Sequence, residues 1–272
     1  MSTPKKPDSQ YIQTMFDQLS GRYDLFNRLT SFGQDAAWRR KALEPLREGM
    51  RILDLGCGTG DLALMAAERF PNHGTQVVGI DFSKKMLERA SARLQNNPRL
   101  RDSEVTFLKR RAEDLPMERE CYDLVVSGFV LRNIYENIDW VLKGVFQSLK
   151  EGGQISFLDI TEPSNPVQLK LWQFYMHTVV ALYGKILFGK DYPADYLTAS
   201  AQRFVKPPDF VKKLEVCGFE GIRVQKFMLG SIVLYQATKR IVKTVGISTP
   251  PNPLFELKRG EHAHSRFLRS AE

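Results

Sequence analysis

Cysteine is scarce: Cys57, Cys121 and Cys217 are the only three in 272 residues, widely spaced and odd in number. That excludes a disulfide framework and a paired-cysteine zinc site, and it suits a reducing, cytoplasmic compartment. The four histidines, His73, His177, His262 and His264, have no ligand spacing, so no metal is expected. Long apolar runs are missing too. The longest, residues 178–184, stops at Lys185, far short of the ~20 residues a membrane-spanning helix needs. The N-terminus carries Lys5 and Lys6 with no apolar stretch behind them, so no secretory leader is expected. An aromatic-interleaved basic stripe and nucleic-acid motifs are absent, which argues against nucleic acid as a partner, and no internal repeat is visible.

Hydrophobic residues make up 43% and charged residues 26%, as in a globular protein, and the length suits one α/β domain with decorations. The net charge is +8. Half of it lies in residues 239–272, where seven Lys/Arg stand against three Glu. That segment, with Pro250, Pro251 and Pro253, reads as an extended appendage: a solvated tail, or a contact with anionic membrane.

Apolar runs and helical periods alternate through the middle of the chain. Helices are expected at 11–19 and 36–46, with a turn at Ser31-Phe32-Gly33 between them. Strands follow at 50–55, 76–80, 105–108, 122–127 and 154–160, with helices at 61–69, 84–95 and 137–149. Near-continuous apolar strands separated by helices indicate a mostly parallel sheet covered on both faces. After Pro163 comes an aromatic-rich helical stretch, 166–188, then a helix at 207–217 and a hairpin of 221–227 with 231–238 around Leu229-Gly230.

The most informative residues are Asp54-Leu55-Gly56-Cys57-Gly58-Thr59-Gly60, between a strand and a helix. Alternate glycines permit a tight turn and close backbone approach to a ligand. A dinucleotide fingerprint needs its third small residue three positions after the second glycine. Here that position is Asp61, an acid at a helix start that should hold a pyrophosphate. A cationic sulfonium suits an acid better, so the spacing favours S-adenosylmethionine over NAD. Asp81, at the end of the second strand, can accept hydrogen bonds from both ribose hydroxyls. Its bland alternative is to cap the helix at 84–95, a role open to Ser83. The loop Arg111-Ala112-Glu113-Asp114 after the third strand falls where adenine would lie, unless it is a plain acidic turn.

Four segments, in this order, resemble the ubiquinone/menaquinone-biosynthesis C-methyltransferase family. They are Tyr23-Asp24-Leu25-Phe26-Asn27 running on to Ser31 and Trp38; Phe129-Val130-Leu131-Arg132-Asn133; Leu149-Lys150-Glu151-Gly152-Gly153 leading to Asp159; and Tyr196-Leu197 with Ser200 and Phe204. The likeness spans residues 11–239. It implies a Rossmann-like class I methyltransferase with a seven-stranded sheet, and a prenylated quinol as the acceptor. Carried over by motif, the cofactor site takes in Asp54, Gly56, Cys57, Gly58, Thr59, Gly60, Asp81, Phe82, Arg111, Ala112, Glu113, Ser127 and Gly128. The catalytic group maps to Arg132, Asn133, Tyr23 and Asp35. Departures from the family pattern stand at Phe26, Asp35, Arg111, Gly128, Val130 and Asp159.

Methylating a ring carbon needs an electron-rich ring, which a hydroquinone becomes on losing a phenolic proton. Arg132 is suited to stabilise that phenolate, while a guanidinium stays protonated and cannot be the base. A water held by Arg132 and Asn133, or Asp35, is the expected proton acceptor; Asp35 could instead cap the helix after it. The expected organisation is a helical cap at 1–48, a methyltransferase domain at 49–239 with a helical insertion at about 164–206 that covers a greasy substrate, and the basic tail from 240. Peripheral contact with the inner face of a membrane is an extension of the cytoplasmic reading. Two rivals remain: a same-fold methyltransferase acting on another small molecule or lipid, and a non-catalytic S-adenosylmethionine-binding assembly subunit.

Overall fold

Strands that are apolar at every position must be covered on both sides, and the structure has that form. It is a computed structural model that describes residues 9–71, 74–189, 192, 200, 204 and 206–241. Seven strands form one sheet: β1 (Arg51–Leu55), β2 (Gln76–Asp81), β3 (Glu104–Lys109), β4 (Tyr122–Gly128), β5 (Leu149–Ile160), β6 (Phe219–Phe227) and β7 (Ile232–Lys239). Their order is β3-β2-β1-β4-β5-β7-β6, and β7 alone runs against its neighbours. Between β1 and β4 the winding reverses direction. The connections leaving those two strands therefore diverge, and a crevice opens at their C-terminal ends.

Neighbouring residues on a strand serve opposite faces, because the side-chain period is two. Leu53, Val125, Phe157 and Val233 join one apolar core with α6 (Ile138–Ser148) and α9 (Pro207–Cys217). Ile52, Leu124, Leu158 and Leu234 join the other with α3 (Asp35–Ala42) and α4 (Asp61–Arg69). α5 (Lys84–Gln95) starts at Ser83, whose side chain accepts from the Met86 N–H. Ser83 is thus the cap that Asp81 had been a rival for.

A third, smaller core lies outside the sheet. Phe26 on α2 (Tyr23–Thr30) packs with Trp172, Met176 and Val180 from the aromatic stretch, which forms α7 (Pro166–Tyr175), a π-helical turn (Met176–Val180) and α8 (Ala181–Phe188). α7 begins well: Asn165 accepts from the N–H groups of Val167 and Gln168, and Pro166 sits where its missing donor costs nothing. α1 (Ser9–Leu19) precedes α2.

Three differences from expectation exceed two residues. Residues 23–30, read as a motif ahead of a turn, form a helix. The helix expected to run to 46 stops at Ala42, although Leu43 and Leu46 remain buried. The strand expected from 154 begins at Leu149, directly after α6, with Gly152 at φ +71° taking up the irregular start. The described residues from Ser9 to Ile241 form one compact unit. The basic tail from 242, Tyr196, Leu197, His73, His262 and His264 lie outside the described residues. Among the described residues no helix is long and apolar enough to cross a membrane.

Candidate active site

The crevice at the β1–β4 switch holds the glycine loop. Gly56, Gly58 and Gly60 all have positive φ, at +69°, +54° and +86°. A Cβ on Gly56 would stand 2.5 Å from Val130 Cγ2, and one on Gly60 3.1 Å from Ala90 Cβ. Packing as well as turn geometry therefore demands glycine at 56, while at 60 the positive φ demands it and the packing leaves little room. Asp81 clasps the loop from β2: the Gly58 N–H donates to Oδ2 at 2.9 Å and the Ser83 N–H to Oδ1 at 2.8 Å. Each oxygen keeps a lone pair for a further donor. Burial pushes the Asp81 carboxyl up, against the pull of these backbone donors.

Asp54, the last polar residue of β1, accepts from the Ala63 N–H through Oδ2 at 3.0 Å. Its Oδ1 is buried with no hydrogen-bond partner among the described residues. Burial, reinforced by the charges of Asp81 and Asp61, pushes this carboxyl up to about 7. Asp54, Asp81 and the loop line a cavity that also takes in Ile80, Phe82, Met86, Arg110, Arg111, Ala112, Glu113, Gly128 and Asn133. S-adenosylmethionine suits this lining. Asp54 Oδ1 is an orphaned acceptor for an ammonium, Asp81 has room for ribose hydroxyls, and Ile80, Met86 and Ala112 offer apolar cover for a purine. Among the described residues no cluster of metal-ligating groups occurs.

Asp61 plays a different part from the one its position suggested. Its carboxylate is bound by Arg93 at 2.7 Å and Arg39 at 3.0 Å. Arg93 also reaches Asp24 and the Thr59 carbonyl, so α2, α3 and the glycine loop are tied together by charge. The acid at the helix start is neutralised by the protein.

A second cavity lies beside the first and is mostly apolar. Phe26, Trp38, Ile160, Trp172, Tyr175, Met176, Val180 and Phe188 wall it. Phe16, Tyr23 and Phe129 line both cavities and so form the partition between them. Burial holds the Tyr23 phenol above the usual tyrosine range, against the opposing pull of Arg132.

The expected catalytic residues divide between the two spaces. Tyr23 belongs to both, Asn133 lines the first, and Arg132 and Asp35 line the second. Arg132 is buried: its Nη1 bonds Asp159 Oδ1 at 2.8 Å and the Phe129 carbonyl at 2.6 Å. Asp35 is the first residue of α3, with Gln34 in the cap position. Its carboxylate accepts from Arg39 at 2.7 Å and from Ser31 Oγ at 3.0 Å. Of the expected cofactor residues, Gly60 and Ser127 stand outside the first cavity; Gly60 turns the chain into α4, and the Ser127 hydroxyl donates to the Leu55 carbonyl at 2.8 Å. Phe16, Arg39 and Arg110 were not anticipated as lining residues. Phe16 is one apolar position of an amphipathic helix, Arg39 one of two adjacent arginines, and neither residue type carries a local mark of its role.

The family described as the ubiE/COQ5 methyltransferase family matches residues 5–239. A demethylmenaquinone methyltransferase of Lactococcus lactis is 32% identical over 236 residues, covering 86% of this chain and 92% of the relative. A ubiquinone/menaquinone biosynthesis C-methyltransferase of Desulfotalea psychrophila is also 32% identical, covering 84% and 90%. Among solved structures, a SAM-dependent methyltransferase of Thermotoga maritima shares the fold with a TM-score of 0.58 at 18% identity, covering 84% of this chain and all of the other.

Proposed function

Since the chain belongs to the ubiE/COQ5 methyltransferase family, with S-adenosyl-L-methionine as its methyl donor, we propose that the acceptor is a ring carbon of a polyprenylated hydroquinone. Demethylmenaquinol is the first choice, as the name of the Lactococcus relative suggests; the methoxy-polyprenyl-benzoquinol of ubiquinone synthesis is the alternative. One observation carries this reading: a cavity that holds the carboxylates of Asp54 and Asp81 adjoins an apolar cavity at Phe16, Tyr23 and Phe129, which line both. A charged donor and a greasy acceptor can then enter from different sides and meet where the two cavities adjoin, beside these three shared residues.

When bound, the cofactor supplies an electrophilic methyl group. Asp54 Oδ1 would hold its ammonium, Asp81 its ribose, and the loop of Arg111, Ala112 and Glu113 would border its base. On the acceptor side, Arg132 is a cation fixed by Asp159 and the Phe129 carbonyl, so it is preorganised to stabilise negative charge on a phenolic oxygen. Tyr23 keeps its proton at neutral pH and acts as a hydrogen-bond donor at the partition. Asp35 is the one carboxylate among the described residues of the second cavity, and we assign it as the proton acceptor. Its ion pair with Arg39 and its hydrogen bond from Ser31 hold the carboxylate in place at the cavity wall. The basic tail adds peripheral contact with anionic membrane to this reading.

The test is transfer of labelled methyl from S-adenosylmethionine to a panel of demethylmenaquinol, methoxy-polyprenyl-benzoquinol, simple phenols and lipid amines. Methylation of the prenylated quinols at carbon is expected. Methylation of the amines alone would replace the proposed acceptor, and tight cofactor binding without any transfer would make the chain a non-catalytic subunit.

A further inference from the structure

The helix that walls the acceptor cavity turns a second face outward. From α7 through the π turn to α8 it is continuous. Its inner side chains Trp172, Met176 and Val180 are buried against the cavity. On the outer side, Val167, Leu171, Phe174, Leu182 and Ile186 are each between 53% and 68% exposed. In an unbroken α-helix, at about 100° per residue, Leu182 and Ile186 would stand roughly 60° and 100° round from Val167. The extra residue of the π turn takes back about one residue of rotation and brings all five within about 40° of Val167. The turn thus converts two offset patches into one apolar stripe along five helical turns. Isolated exposed apolar residues are ordinary on a protein surface; an aligned stripe of five marks a contact.

We infer that this stripe seats on the surface of a lipid bilayer and brings the acceptor cavity to the lipid. The inference rests on the proposed acceptor being a polyprenyl lipid. Charge selects the occupant: residues 166–189 contain no Asp or Glu, while Lys170, His177 and Lys185 are exposed along the same helix. An apolar stripe edged by lysines matches an anionic headgroup layer, where the stripe enters the acyl boundary and the ammonium groups remain among the phosphates. A second copy of the chain suits it less well. A twofold contact sets the same patch against itself, and lysine would then face lysine with no carboxylate on either helix to pair it. Because the opposite side of this helix is the wall of the acceptor cavity, seating it leaves a prenyl chain a short path out of the bilayer.

The full chain is tested by co-sedimentation with phosphatidylcholine vesicles made with and without phosphatidylglycerol. The triple variant Leu171→Ser/Phe174→Ser/Ile186→Ser is expected to bind at least about tenfold more weakly. It should turn over a short-chain, detergent-soluble quinol as the wild type does, but lose turnover of a long-chain quinol embedded in vesicles. Vesicle binding by the triple variant equal to that of the wild type overturns the inference. So does light scattering that finds a wild-type dimer which the variant dissociates, since a second copy would then cover the stripe. Should the triple variant fail to fold, Lys170→Glu/Lys185→Glu carries the test: weaker binding to the anionic vesicles supports the inference, and unchanged binding overturns it. A wild type that binds vesicles through the stripe yet methylates no quinol keeps this inference and removes the proposed acceptor.

Discussion

Replacing Asp54 by asparagine should stabilise the free protein and weaken its hold on the cofactor, a combination that a purely structural aspartate would not produce. The carboxyl is buried, receives one backbone donor from Ala63, and keeps Oδ1 unpaired. Burial moves its titration from 3.8 to about 7. In the unfolded chain the proton leaves near pH 4; in the folded protein it stays until about pH 7. Between those limits the folded state holds more protons, so stability falls as pH rises. Roughly three pH units at about 1.4 kcal/mol each give a penalty of at most about 4 kcal/mol above pH 7. Asp54→Asn keeps an acceptor for Ala63 and removes the buried charge. In urea unfolding without ligand, the variant should gain about 1–4 kcal/mol at pH 8, with the gain shrinking toward pH 4. Toward S-adenosylmethionine the sign reverses, because an ammonium is attracted by a carboxylate and not by an amide. Wild-type affinity should rise with pH up to about 7 and then level off. Calorimetry at pH 6 in buffers of different ionisation heat should detect a proton released on binding. A variant less stable than wild type at pH 8, or with unchanged cofactor affinity, would refute this account of Asp54.

Asp81→Ala should weaken cofactor binding by about 1.5–3 kcal/mol in calorimetry, and also lower the melting temperature, because the Gly58 and Ser83 N–H groups lose their acceptor. Gly56→Ala should cost about 1–3 kcal/mol of stability through the 2.5 Å approach to Val130; adding Val130→Gly should recover the steric part in chemical denaturation and leave the cost of positive φ. Arg132→Leu alone leaves Asp159 as an unpaired buried charge and should cost about 3–5 kcal/mol of stability. Paired with Asp159→Asn it should fold, bind cofactor near normally and lose most turnover; equal losses in binding and turnover would recast Arg132 as a cofactor or folding residue.

What was legible in the sequence was local. Strand and helix alternation, the glycine loop, Asp81 at a strand end and Ser83 as the better cap are set by backbone conformation and near neighbours, and these act over a few residues. Apolar strands with no polar side had to be covered twice, which fixed the doubly packed sheet before any contact was known. Tertiary structure alone decided which side of the partition each functional residue serves. Asp61 looked like a partner for a cationic ligand until Arg39 and Arg93, 22 and 32 residues away in the chain, were folded onto it. Arg132 and Asn133 are adjacent in sequence but line different cavities, because the turn after β4 sends successive side chains in different directions. Ser127 faces β1 instead of the ligand, since side chains alternate along a strand and its neighbour Gly128 has the cavity side. The partition of Phe16, Tyr23 and Phe129 comes from α1, α2 and the turn after β4, whose apolar residues carry no mark of what they will meet, and only tertiary packing at the ends of the central strands brings them together.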